Sequence, residues 1–171
     1  MERISIPEEM IVEFQNVPLD RQGIEALNLL PHRGHALEYI DAVIYFNGNE
    51  KSLTTVKMVN PGWRVFEGHF PGNPILRGTE ILESACLTTA LLYCLMFPES
   101  AKECPPTVTS YGIDPKIRRP VIPGDILYIQ AFNPKVQSRA FTADVLVKNQ
   151  NEKVIAEFKG ISGKRLDGKK I

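Results

Sequence analysis

His69, Glu83 and Gly78 are the residues whose types and spacing could do chemistry in this chain. His69 lies in Gly68-His69-Phe70-Pro71-Gly72-Asn73-Pro74-Ile75-Leu76-Arg77-Gly78, where the Pro71-Gly72 pair suits the centre of a type II turn. The run feeds a stretch from Ile81 to Met96 in which Ile81, Leu82, Ala85, Cys86, Leu87, Ala90, Leu91, Leu92, Leu95 and Met96 leave no polar face. Such a pattern predicts a helix buried on every side. Glu80 is early enough to be explained by the positive end of the helix dipole. Glu83 lies deeper, where a carboxylate is desolvated unless something requires it. Gly78 falls at the helix start, where backbone N–H groups have no intrahelical acceptor. An imidazole, a desolvated carboxylate and free N–H donors are the parts of an acid–base site with an oxyanion pocket. On spacing alone the same residues also fit a histidine packed in a turn and a glutamate paired with a surface arginine.

The elements that must position these residues follow from periodicity and turn signals. Tyr39 to Phe46 is rich in β-formers, Asn47-Gly48 marks a hairpin, and Ser52 to Val59 returns. The helix stops at Phe97-Pro98, and a polar loop follows. Thr107 to Ile117 reads as a strand bent or interrupted at Asp114-Pro115, and Ile126 to Phe132 as a strand ending at Asn133-Pro134. Two further strands alternate apolar and polar residues, one through Phe141, Ala143, Val145 and Val147, the other through Val154, Ala156 and Phe158. Upstream, Met10 to Phe14 is a short strand candidate, and Asp20 an N-cap for a short helix ending at Pro31. One buried helix and about six antiparallel strands with a wet face make an α+β fold, its sheet curled around the helix. A single curled sheet leaves an edge strand and part of the helix uncovered, so a dimer is expected.

With 171 residues the chain divides into an N-terminal extension (1–20), one domain (21–162) and a basic tail (163–171). Lys plus Arg equals Asp plus Glu at 20 each, so no global field draws in nucleic acid or an anionic membrane. The N-terminus lacks the apolar core of a signal peptide, and Glu83 interrupts the longest apolar run, so no membrane span is expected. Cys86, Cys94 and Cys104 lack metal-ligand spacing and read as core thiols of a reducing compartment, the cytoplasm. Lys116, Arg118 and Arg119 form a local basic cluster that fits either an acidic partner or a solvated strand end. Trp63 reads as core or interface packing rather than a substrate stack.

The stretch from Gly68 to Gly78, followed by Ile81-Leu82-Glu83, resembles the signature of the hot-dog-fold 3-hydroxyacyl-[acyl-carrier-protein] dehydratases. Leu30-Pro31-His32-Arg33 and the run from Arg118 to Asp125 resemble two further motifs of that family, in the right order, so the likeness covers roughly residues 25–161. It implies a hot-dog fold and loss of water from a (3R)-3-hydroxyacyl thioester to give the trans-2-enoyl thioester. By position, His69 is the catalytic base and Glu83 the catalytic acid, meeting across a dimer interface. Gly78 and Phe70 are the residues implied to bind substrate and oxyanion. His32, Arg33 and His35 are read as structural or pocket-lining. Glu83, where the dehydratase–isomerase branch has Asp, places the chain nearer the dehydratase branch. The implied partners are an acyl carrier protein, met by Lys116, Arg118 and Arg119, and a second copy of the chain, with a trimer of dimers as the larger assembly; no cofactor or metal is implied.

The chain departs from the family pattern at Arg77, beside the oxyanion turn, and at Glu80, at Leu87 in place of a usual glutamine, and at Gly34-His35-Ala36. Arg77 and Glu80 stand at the spacing of an ion pair. These changes leave a polyketide-like acyl chain as suitable as a fatty acid. They also keep two alternatives open: another hot-dog thioester chemistry (isomerisation, hydration or hydrolysis), and a non-catalytic acyl-binding or assembly subunit.

Overall fold

A helix with no polar face must be enclosed, and in the computed structural model the run from Gly78 to Met96 forms α1, with every residue from Ser84 to Met96 buried. The structure describes residues 19–20, 23–24, 39–137 and 140–165. The candidate strand Met10–Phe14, most of the helix before Pro31, the segment His32 to His35 and residues 166–171 lie outside the described residues. By length and composition α1 could cross a membrane, yet 78% of its most apolar window is buried inside the fold.

Among the described residues eight strands form one antiparallel sheet: β1 (Leu19–Asp20), β2 (Ala42–Asn47), β3 (Ser52–Met58), β4 (Pro106–Ser110), β5 (Ile113–Ile117), β6 (Ile126–Val136), β7 (Ala140–Asn149) and β8 (Val154–Arg165). Their spatial order is β1-β2-β3-β6-β7-β8-β4, with β5 also pairing with β8. Helix α1 touches β3, β6, β7, β8 and β4, so the sheet curls around it as expected. The Asn47-Gly48 hairpin forms, and Asn47 Oδ1 accepts from the N–H groups of Asn49 and Glu50. Asp20 Oδ1 accepts from Gly23 N–H, the N-cap contact that residue type favours.

Four expectations change. The segment after Phe97 is not all loop, because Pro98 sits in the first turn of a second helix, α2 (Pro98–Glu103), where proline's missing N–H costs nothing. The strand expected over 107–117 is two strands, separated at Tyr111-Gly112 as well as irregular at Asp114. β6 runs through Asn133-Pro134 as a bulge, with Asn133 at φ 51°. Here β6 has already left β3, whose last partner is Ala131, so the proline faces no second ladder. Finally, β8 continues to Arg165, since β4 pairs with residues 162–165, so residues 163–165 belong to the sheet rather than to a tail.

Helix and sheet are also joined by polar contacts. Thr55 of β3 and Thr88 of α1 are both fully buried, with Oγ1 atoms 2.7 Å apart. Thr88 Oγ1 donates to Ser84 C=O at 2.8 Å. At the end of β8 the backbone of Gly163 lies against the Phe141 ring and the Thr107 carbonyl, leaving no space for a methyl group. Gly163→Ala is therefore expected to cost about 1–3 kcal/mol by overpacking, seen as a lower urea midpoint. Phe141→Leu in that background should restore only part of the loss, because the Thr107 carbonyl remains in the way.

Candidate active site

The loop carrying His69 is closed by its own backbone. Phe70 and Asn73 exchange N–H···O=C bonds of 3.2 and 3.0 Å around Pro71-Gly72, and Gly72 takes φ 78°, the left-handed value that the third position of a type II turn requires. Ile75 N–H donates to His69 C=O at 2.8 Å, and His69 Nδ1 lies 2.8 Å from Ile75 C=O. A carbonyl oxygen only accepts, so Nδ1 is the donor, and in the neutral ring Nε2 is left with its lone pair. Phe70 stacks on the imidazole, centroids 4.3 Å apart, and is otherwise half exposed.

One residue further on, Leu76 N–H donates to Val121 C=O at 2.8 Å and ties this loop to the turn before β6. That turn is built by Asp125, whose Oδ2 accepts from Ile122 N–H while Oδ1 accepts from Gln150 Nε2. Leu76 is followed by Arg77, the N-cap of α1, and Gly78, its first residue. Ile117 of β5 lies over Gly78 so closely that a Cβ there would meet its Cδ1. A pocket of about 300 Å³ opens at this helix start, lined by Ile75, Leu76, Gly78, Ile81, Ile117 and the segment from Arg118 to Val121. The dipole of α1 and its uncommitted first N–H groups face that opening, an arrangement suited to a carbonyl oxygen gaining negative charge.

Glu83 is half-buried on the second turn of α1, less enclosed than its place in an apolar helix suggests. Among the described residues it makes no ion pair, either with His69 or with an arginine, so within one chain the Glu83 carboxylate and the His69 imidazole are not in contact. Its charge is felt by Cys86, one turn later. Arg77 and Glu80 do not pair through their side chains; instead Glu80 N–H donates to Arg77 C=O at 3.1 Å. In the basic cluster, Lys116 pairs with Asp114 at 2.8 Å, and Arg118 makes two 2.9 Å bonds to Glu157. Each partner stabilises the other's charge: Glu157 holds the guanidinium above its ordinary value, and Arg118 holds the carboxyl below. Arg119 is exposed, with no ion pair among the described residues.

Two features were missed in sequence. The pocket wall from Ile117 and Val121 belongs to segments distant in the chain and carries no local signal. The second is Lys57, 3% exposed, its ammonium 4.5 Å from the centre of the Trp63 ring and 3.5 Å from Asp41 Oδ2. Trp63 is half-buried against the core, consistent with packing. Strand alternation could have found Lys57, because Leu53, Thr55 and Lys57 fall on one face, the inward one.

The fold is that of hot-dog proteins. The E. coli PaaI protein from the phenylacetic acid degradation operon superposes with a TM-score of 0.58 at 18% identity, covering 85% of this chain and 91% of that one. The putative thioesterase YhdA from Lactococcus lactis gives 0.52 at 14% identity, covering 67% and 78%. A family model described as the FabA-like domain matches residues 30–159. The chain belongs to this FabA-like family of hot-dog-fold dehydratases. Among its curated relatives is the 3-hydroxyacyl-[acyl-carrier-protein] dehydratase FabZ of Anaeromyxobacter sp. (strain K), 37% identical over 81% of this chain and 86% of that protein. FabZ of Francisella tularensis subsp. novicida (strain U112) is 30% identical over 78% and 85%. The bifunctional enzyme LpxC/FabZ of Chlorobaculum tepidum is 40% identical over 61% of this chain, which spans only 21% of that longer protein.

Burial first, and the Glu83 charge second, push the Cys86 thiol up to about 12, and burial pushes Cys94 up to about 12 as well. A thiol raised above its unfolded value keeps its proton in the folded protein. Its stabilising effect is full below about pH 8.5 and is lost as pH rises toward 12. Urea unfolding at pH 8 and pH 10 is expected to show a steeper alkaline loss in wild type than in a Cys86→Ala/Cys94→Val variant, by roughly 1.4 kcal/mol per thiol per pH unit above the unfolded value.

Proposed function

We propose that this chain removes water from (3R)-3-hydroxyacyl-[acyl-carrier-protein], giving the trans-2-enoyl thioester, in fatty-acid or polyketide-like biosynthesis in the cytoplasm. The observation that carries the reading is the His69 ring, its Nδ1 committed to the Ile75 carbonyl and its Nε2 free, on a loop that leads directly into the N-terminus of α1. The names of the curated dehydratase relatives support it.

In this reading His69 Nε2 takes the proton from C2 of the substrate. Charge moves to the thioester oxygen, where Gly78 N–H and the helix dipole lower its energy. The C3–O bond then breaks as Glu83, protonated or acting through a bound water, delivers a proton to the leaving hydroxyl, which departs as water. Transfer of the captured proton from His69 back to Glu83 resets the site. Phe70 would flank the acyl chain beside the imidazole. Lys116, Arg118 and Arg119 would meet an acidic carrier, with Arg119 the member of this cluster that has no ion pair among the described residues.

Because acid and base do not meet within one chain, Glu83 of a second copy completes the site. The outer edge of β4 and β5 supports such a copy: Tyr111, in the link between them, is 57% exposed, and Ile113 (80%) and Ile117 (49%) lie on β5, the described partner of both strands being β8 alone. An apolar unpaired edge of this kind is a template for antiparallel pairing.

Purified protein mixed with a panel of 3-hydroxyacyl carrier proteins should lose one water per substrate by mass spectrometry. His69→Ala and Glu83→Gln should each abolish that loss with the fold intact. Refolding the two inactive variants together should recover activity, because one site of each mixed dimer has both residues. Undiminished turnover in either variant would sink the assignment, and a mixture that stays inactive would sink the shared site.

A further inference from the structure

His69 is held downstream by backbone bonds: its own carbonyl to Ile75, and Leu76 to Val121. Upstream the restraint differs. Val59 is fixed at the end of β3 by its N–H to Asp125 C=O and its C=O from Gly124 N–H. From there the chain turns at Asn60, whose Oδ1 accepts from Gly62 N–H and whose C=O accepts from Trp63 N–H. Residues Arg64–Glu67 form a single 3-10 turn, with Phe66 N–H on Trp63 C=O and the two rings parallel at 6.5 Å. No residue of that turn is fully buried, although Val65 and Phe66 pack partly buried against the core, and a Cβ added at Gly68 would meet nothing within 4 Å, so beyond Phe66 the chain runs to His69 with little packed around it.

Trp63 anchors the start of the segment, Phe66 stacks on it, and Lys57 sits under it. A buried ammonium is costly unless fixed charges and π faces surround it. Here one side faces the indole at 4.5 Å and another the Asp41 carboxylate, itself held by Met58 N–H at 2.6 Å. Cation–π attraction strengthens when water is removed, as it is here. The strand supplying Lys57 is inside the sheet, between β2 and β6, so the platform is rigid.

We propose that Lys57 and Trp63 are positioning residues for His69: the buried ammonium clamps the indole, and the indole sets the angle at which the 3-10 turn delivers the imidazole to its Ile75 acceptor. The inference rests on His69 being the base of the dehydration, and its test includes a readout that needs no turnover.

The first measurement is the proton–nitrogen NMR spectrum of the His69 ring in the intact protein, where the Nδ1 proton on Ile75 C=O should be slow to exchange with water. Trp63→Leu and Lys57→Met should broaden or abolish that signal, while Lys57→Arg and Trp63→Phe should recover it. The second is dehydration kinetics, in which the two disruptive variants should lower kcat about tenfold or more with KM within about twofold, the pattern of a misaimed base. Gly163→Ala, destabilised at a remote site, should keep both the ring signal and wild-type kcat. If Lys57→Met fails to fold because Asp41 loses its cation, Asp41→Asn/Lys57→Met removes both charges and carries the same expectation. Folded variants with an unchanged ring signal would overturn the proposal, whatever the turnover. Wild type with the protected signal but no dehydration of any substrate would overturn the proposed function and leave the clamp standing.

Discussion

The enclosure of α1 is the constraint on which the rest depends. Its thirteen residues from Ser84 to Met96 have no face to give to water. Each large apolar side chain among them gains roughly 1.5–3 kcal/mol from leaving water. A flat sheet could cover only one side, so β3, β6, β7, β8 and β4 must bend around the helix. Bending carries β5 to the helix N-terminus, which is why Ile117 meets Gly78. The pocket is therefore a by-product of the packing: it opens where the wrapped sheet runs out and the first turn of the helix emerges.

Polar atoms are committed to holding segments in relation to that helix start. Asp125 closes the turn that presents the Val121 carbonyl, and that carbonyl receives Leu76 two residues before Gly78. The His69 imidazole spends one nitrogen on the same loop. Charges on the outer strands, by contrast, neutralise one another locally, as in Arg118–Glu157 and Lys116–Asp114. Such exposed pairs add little to stability. Their effect is to leave the rim around the pocket less cationic than its composition suggests.

Much of this was legible in residue order. Period-two alternation in β7 and β8 is plain because each face of those strands meets a single environment, and α1 is plain because it has only one. The Pro71-Gly72 turn and the helix beginning at Gly78 are local and follow from residue type. What escaped is what depends on neighbours remote in sequence. Pro98 reads as a stop, though a proline that ends one helix can equally begin the next. Pro134 reads as the end of its strand, yet it lies where β6 has a ladder partner on one side only, so the missing N–H is tolerated, whereas the bend expected at Asp114-Pro115 is present as a shift in register. The fate of Glu83 was only half legible: its depth along α1 is local, but whether it finds a partner depends on surfaces that no spacing describes.

The buried hydroxyls of Thr55 and Thr88 fix more than a contact. Thr88 has one hydroxyl proton and gives it to the Ser84 carbonyl, so the proton between the two threonines must come from Thr55. The resulting relay points one way, from strand to helix to helix backbone, and is satisfied only when Thr88 faces β3. Leucines tolerate a helix that slides or rolls by a few degrees; a directed pair of hydroxyls sealed from water does not. With successive side chains about 100° apart around an α-helix, pinning Thr88 toward β3 turns Glu83, five positions earlier, about 140° away from it. In this way two small alcohols in the apolar interior act as the keyway that sets the azimuth of a carboxylate one turn up the shaft.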